Sequence, residues 1–136
     1  MTTSLADALA GEHAAIYGYG VLGAHLTGAP LDLARQAEAA HRGRRDALFL
    51  RLASASQAAP AAAPAYTLPF QVTDQSTALT LATQIEERTG AVWRAALAGV
   101  AGDQRGLALD ALTDCALRAA RWRRASGQVP GTVALP

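Results

Sequence analysis

Leu31 to Ala55 reads LDLARQAEAAHRGRRDALFLRLASA, and within it Glu38-Ala39-Ala40-His41 sets an acid and an imidazole three residues apart. On a helix, that spacing puts both side chains on one face. The stripe Ala34, Glu38, His41, Arg45, Leu48 and Leu52 follows the same face, so acid, imidazole and guanidinium share a line that continues as leucine. A Glu/His pair at this spacing is what helical bundles with metal in their core use, because both groups reach a common point. Arg42, Arg44 and Asp46 flank the stripe and are expected in solvent.

Three further helices follow from the same periodicity. The first starts at a Ser4 cap with Asp7 one turn on, and its stripe runs Leu5, Leu9, Ile16, Tyr19, Gly23 and Leu26. Glu12 is embedded in that stripe and His13 lies on its shoulder, expected at the surface or an interface. Gly11, Ala14, Ala15 and Gly18 form a second face nearly free of bulk, suited to close contact with another helix. Thr27-Gly28-Ala29-Pro30 is read as the stop, so the second helix is expected from about Leu31 to Ala55. Thr73 or Asp74 caps the third helix, whose stripe of Leu79, Ala82, Glu86, Trp93 and Leu97 again embeds one acid. The fourth runs from about Gln104 to Ser126, with Ala108, Leu112, Cys115, Ala119 and Trp122 inward and Asp114 and Arg118 at the edge of that face.

Between the second and third helices, residues 54–73 are rich in alanine and proline, and Pro60, Pro64 and Pro69 forbid a continuous helix. So long a link inside a compact domain is explained if it crosses between parallel neighbours and must travel a full helix length. Residues 127–136 are expected as a non-helical tail across one end. The whole of 1–136 is expected to be one domain.

Composition narrows the function. Twelve basic against eleven acidic residues give a net charge of +1, no footprint for nucleic acid or an anionic membrane. No apolar run reaches membrane-spanning length, and no charged start with an apolar core opens the chain, so a cytoplasmic location is expected. The single cysteine, Cys115, excludes an intramolecular disulfide and a cysteine-based zinc site. It sits on an inward stripe, as do Trp93 and Trp122, and all three are read as core.

Set side by side, the helices offer Glu12, Glu38 with His41, Glu86 and Asp114. A di-iron bundle needs one Glu from each of two helices and Glu-x-x-His from each of the other two. Here the second half is incomplete, because Leu117 stands where the second imidazole belongs. Two readings follow. In one, Glu12, Glu38, Glu86 and Asp114 are held without metal by His41, Arg45 and Arg118, since buried charges must be paired. Removing Arg45 should then cost about 3–5 kcal/mol. In the other, Glu12, Glu38, His41 and Glu86 hold iron or manganese.

The order helix, helix with Glu-x-x-His, long link, helix, helix resembles the ferritin-like superfamily. More closely, the chain resembles a ferritin-like family of unknown function found mainly in high-GC bacteria. The residues carrying the likeness are Glu12-His13-Ala14-Ala15-Ile16-Tyr17-Gly18-Tyr19-Gly20, His41-Arg42 with Arg45-Asp46, Ala65-Tyr66 with Leu68-Pro69-Phe70, and Ala120-Arg121-Trp122-Arg123. The resemblance implies an all-α, up-and-down four-helix bundle of ferritin-like type with a long crossover between helices 2 and 3. It also implies, together with the small-residue face of the first helix, a homodimer. The function expected is a non-catalytic structural or interaction module with no cofactor, partnering neither nucleic acid nor membrane. The alternative is a metal-binding, ferritin-like oxidoreductase with one iron or manganese or an incomplete pair. A small-molecule pocket under Tyr66 to Val72 is a third possibility, suggested by the aromatic content there.

Overall fold

A computed structural model describes residues 3–127 of the protein. The tail expected from Gly127 onward lies, past that glycine, outside the described residues. Among the described residues the fold is all-α: α1 (Ser4–Gly23), α2 (Gly28–Ser54), α3 (Gln75–Leu97) and α4 (Asp103–Ala125), with no strand.

The helix ends show where local chemistry overrides a simple reading. Thr3, not Ser4, caps α1, its hydroxyl accepting from the Ala6 amide at 3.1 Å. Pro30 does not close α1 from outside; it lies in the first turn of α2, which begins at Gly28. A first-turn residue has no intrahelical partner for its amide, so proline loses nothing there. Gly28 enters that turn at φ +63, a conformation that side-chain-bearing residues adopt only with strain. Asp74 caps α3 in a reciprocal box with Thr77, accepting from the Thr77 amide at 2.8 Å.

Packing joins α1 to both α2 and α3, and α3 to α4, while the backbones of α2 and α4 approach each other at few points. Gly11 faces Val92 and Gly18 faces Ile85, so α1 and α3 run antiparallel. A Cβ on Gly18 would meet Ile85 Cδ1 at 2.5 Å, so the bare backbone here makes room for the Ile85 side chain. The small-residue face of α1, expected to support a homodimer, is thus occupied within the chain.

Residues 55–74, which join α2 to α3, pack on α1. His13 Nε2 lies 2.9 Å from the Pro60 carbonyl oxygen, and Tyr17 and Tyr66 meet with ring centroids 5.5 Å apart. His13 is therefore buried rather than at the surface as its sequence position suggested, because this segment covers it.

Among the described residues, buried apolar side chains form two clusters. One contains Leu22, Leu26, Leu79, Leu81 and Trp122, the other Leu5, Leu9, Leu48, Leu52 and Leu112. Between them lies a layer of polar side chains.

Candidate functional site

Glu12 of α1, His41 of α2 and Glu86 of α3 are fully buried and meet at the centre of that layer. His41 lies between the two acids, its Nδ1 2.5 Å from Glu12 Oε2 and its Nε2 2.9 Å from Glu86 Oε2. Both ring nitrogens therefore face carboxylate oxygens, which accept only. The ring satisfies both when both nitrogens carry protons, that is, as imidazolium. Burial alone would lower the His41 pKa, but the hydrogen bonds and charges of Glu12 and Glu86 outweigh it and raise it to about 9.

Each acid has further donors. Glu12 Oε1 accepts from Trp93 Nε1 at 2.8 Å and from Arg44 Nε at 3.1 Å. Burial works against the Glu12 charge, yet His41, Arg44 and Trp93 together hold its pKa below the ordinary carboxylate value. Glu86 Oε2 accepts from the Tyr19 hydroxyl as well as from His41. Tyr19 in turn accepts from Trp122 Nε1 at 2.9 Å. Burial, reinforced by the charge of Glu86, pushes the Tyr19 pKa far up and keeps the phenol a donor. Glu86 Oε1 is buried with no hydrogen-bond partner among the described residues.

Arg44 extends the cluster into the seam where α2 and α4 stand apart. Its NH1 donates to Asp114 Oδ2 at 2.9 Å, and Arg118 Nε donates to the same oxygen at 2.9 Å. A long guanidinium-tipped side chain spans a gap that the two backbones leave open. Arg44 NH2 also lies 3.2 Å from His41 Nδ1. With the proton on Nδ1 directed at Glu12, this is a contact between two donors, held together by the carboxylate they share. Cys115 Sγ lies 3.9 Å from Arg44 NH2. Burial and then the Glu86 charge push its thiol pKa far up, so Cys115 stays an unreactive thiol. The charges balance: Glu12, Glu86 and Asp114 against His41, Arg44 and Arg118.

Of the residues singled out in the sequence, the structure brings together Glu12, His41, Glu86, Asp114 and Arg118, and leaves out two. Glu38 lies on the outer flank of α2, its side chain 27% exposed and paired with Arg42 at 3.0 Å. Arg45 points outward to Asp46 at 3.0 Å. Their expected places are taken by Ala37, which is buried, and by Arg44. The sequence reads Trp93 and Trp122 as core and Tyr19 as part of an apolar stripe, and the polar atoms of all three prove to be donors to the cluster. The signal available was the aromatic one turn pair along from each embedded acid, since a buried indole or phenol must find a partner.

A family model described as a domain of unknown function (DUF4439) matches residues 4–136. The chain belongs to the DUF4439 family. It is also similar to a solved crystal structure, that of a conserved hypothetical protein, rv2844, from Mycobacterium tuberculosis. The two are 40% identical with a TM-score of 0.87, over 90% of this chain and 93% of that one. No curated protein matches the sequence.

For this DUF4439 protein the donor set decides what the cluster can hold. Among the described residues, no group of three or more His, Cys, Asp and Glu side chains is arranged to hold a metal ion. Ligands must present lone pairs to a common point, and a metal-bound imidazole must be free of its proton on that side. Here both His41 nitrogens are engaged by carboxylates, Arg44 and Trp93 donate to Glu12, and Glu38 is too far round the helix to contribute. The residues as arranged do not fit a metal. They form a hydrogen-bonded set of charges in which Glu86 Oε1 is the one buried polar side-chain atom left unpaired among the described residues.

Proposed function

We propose that this protein is a non-catalytic, ferritin-like four-helix bundle that serves as a structural or interaction module. In it, an imidazolium and a guanidinium stand where a metal-bearing relative would place cations. One observation carries the reading: the His41 ring bridges Glu12 and Glu86 through both nitrogens, at 2.5 and 2.9 Å. The positive charge that bridging carboxylates require is thereby supplied by the chain itself.

The ferritin-like topology is part of the proposal. Its support is directional: α1 runs antiparallel to α3, and the short link from α1 to α2 turns the chain back, so α2 and α3 share a direction. Residues 55–74 then act as the crossover, and their contacts with His13 and Tyr17 of α1 fit that course. No described helix is long and apolar enough to cross a membrane. Dimer formation belongs to this reading through the family resemblance alone, and sedimentation equilibrium measures it directly.

A second reading has one observation in its favour. Among the described residues, Glu86 Oε1 is a buried acceptor without a partner, and such an atom is a place to which a cation would be drawn. Anaerobic loading with Fe(II) or Mn(II), followed by metal analysis, separates the two. The network reading expects substoichiometric metal that is unchanged in His41→Ala. Close to one metal per chain, lost in Glu86→Gln, would establish the metal-binding reading instead.

A further inference from the structure

On the side of α1 and α3 away from the charged cluster, residues 66–69 roof a pocket of about 200 Å³. Its walls are apolar: Ala14 and Gly18 of α1, Leu68 and Pro69 of the roof, Ile85 and Val92 of α3. The glycines matter to its depth, since Gly11 and Gly18 leave the α1 wall without side chains. Arg88 is the one charged residue in the lining, and it has no hydrogen bond or ion pair to any described residue. The arginines of the buried cluster are all paired, so this guanidinium is the free positive group beside an apolar cavity.

We propose that this pocket binds a small monoanionic amphiphile, a single carboxylate on an apolar body. The tail lies against the bare wall of α1 beneath Leu68 and Pro69, and the carboxylate meets Arg88 at the mouth. An arginine fork suits a carboxylate, and the remaining lining offers only apolar surface and neutral polar groups such as Gln84. The volume is below that of pockets for drug-sized ligands and limits the ligand to about ten non-hydrogen atoms. A linear eight-carbon fatty acid has the right size and charge. The site is independent of the network assigned above, and metal loading of that network leaves this prediction untouched.

The test is a titration of the full chain with octanoate, followed by amide chemical shifts of Gly11 and Gly18, with 1-octanol and octylammonium as probes of the same tail. The proposal expects saturable shifts at both glycines with octanoate, weaker binding of 1-octanol and none of octylammonium. Arg88→Gln should weaken octanoate about tenfold or more, since it removes a charge-assisted contact. Ala14→Leu, which fills the pocket with a good helix former, should abolish the shifts while the helical circular dichroism is unchanged. Unmoved glycine amides up to the solubility of octanoate would overturn the proposal, as would equal affinity in Arg88→Gln or equal binding of octylammonium.

Discussion

Replacing Arg44 with alanine withdraws one positive charge from a layer in which three acids face three bases. Glu12, fully buried, keeps His41 at 2.5 Å and Trp93 at 2.8 Å but loses the guanidinium at 3.1 Å. A hydrogen bond to a buried charged group contributes about 1.5–3 kcal/mol. Asp114, partly exposed, keeps Arg118 and loses a bond nearer to the surface value of about 0.5–1 kcal/mol. The expected loss is therefore about 2–4 kcal/mol. Arg45→Ala is the internal comparison: among the described residues its guanidinium pairs with the exposed Asp46 alone, and its removal should cost less than about 0.5 kcal/mol. Arg44→Met, which keeps the apolar stem, should retain most of the Arg44→Ala loss, separating charge from packing. Urea unfolding at pH 7 reads all three, with an unchanged denaturant slope showing that the same two states are compared. An Arg44→Ala midpoint equal to the parent's, or an Arg45→Ala loss as large as that of Arg44→Ala, would refute the assignment of Arg44 to the buried layer.

The pH dependence of stability carries a defined sign. The His41 pKa rises from 6.5 to about 9 on folding, so its contribution is full below pH 6.5 and is lost as pH climbs through 9. The loss should be on the order of 3 kcal/mol between those limits, and His41→Gln should flatten unfolding free energies measured across that window; an unchanged slope in the variant would assign the effect elsewhere. At the α1–α3 contact, Gly18→Ala puts a Cβ 2.5 Å from Ile85 Cδ1, the rotatable end of a side chain beside the pocket, so Ile85 must turn; with about 1 kcal/mol of helix propensity gained, the expected net cost is at most about 1 kcal/mol. Gly11→Ala, at an ordinary 3.5 Å from Val92, should be neutral or stabilising by up to about 1 kcal/mol. Thermal unfolding of the two variants, with opposite or equal shifts, decides whether the close approach is local to Gly18. Tyr19→Phe leaves Trp122 Nε1 without its acceptor and takes one donor from Glu86, for an expected cost of about 1–3 kcal/mol in the same urea assay.

How much of this was legible in the sequence is best judged residue by residue. Glu12 and Glu86 stood out because each interrupts an apolar stripe, and His41 because it continues one. On α2 the pattern named the wrong flank. Glu38 and Arg45 lie on one side of the line through Ala34, His41, Leu48 and Leu52, and Ala37 and Arg44 lie on the other. Helical periodicity alone treats the two flanks alike; the choice is made by which side faces the wide seam toward α4, and that is a property of the packed helices. The ends of α1 and α2 were misplaced for a different reason. Thr27-Gly28-Ala29-Pro30 serves equally well as the stop of one helix and the first turn of the next, because proline is at home in both. The roles of Trp93, Trp122 and the Tyr19 hydroxyl needed the antiparallel pairing of α1 and α3. That pairing gives the Glu of each helix to the aromatic of the other.

The positive charge between Glu12 and Glu86 is assigned to an imidazolium supplied by His41. ¹⁵N NMR of the histidine side chains at neutral pH tests it most directly. Both His41 nitrogens should carry protons at pH 7, and the ring should lose one only near pH 9. A His41 ring with one unprotonated nitrogen at pH 7 would contradict it, leaving a lone pair free for a metal.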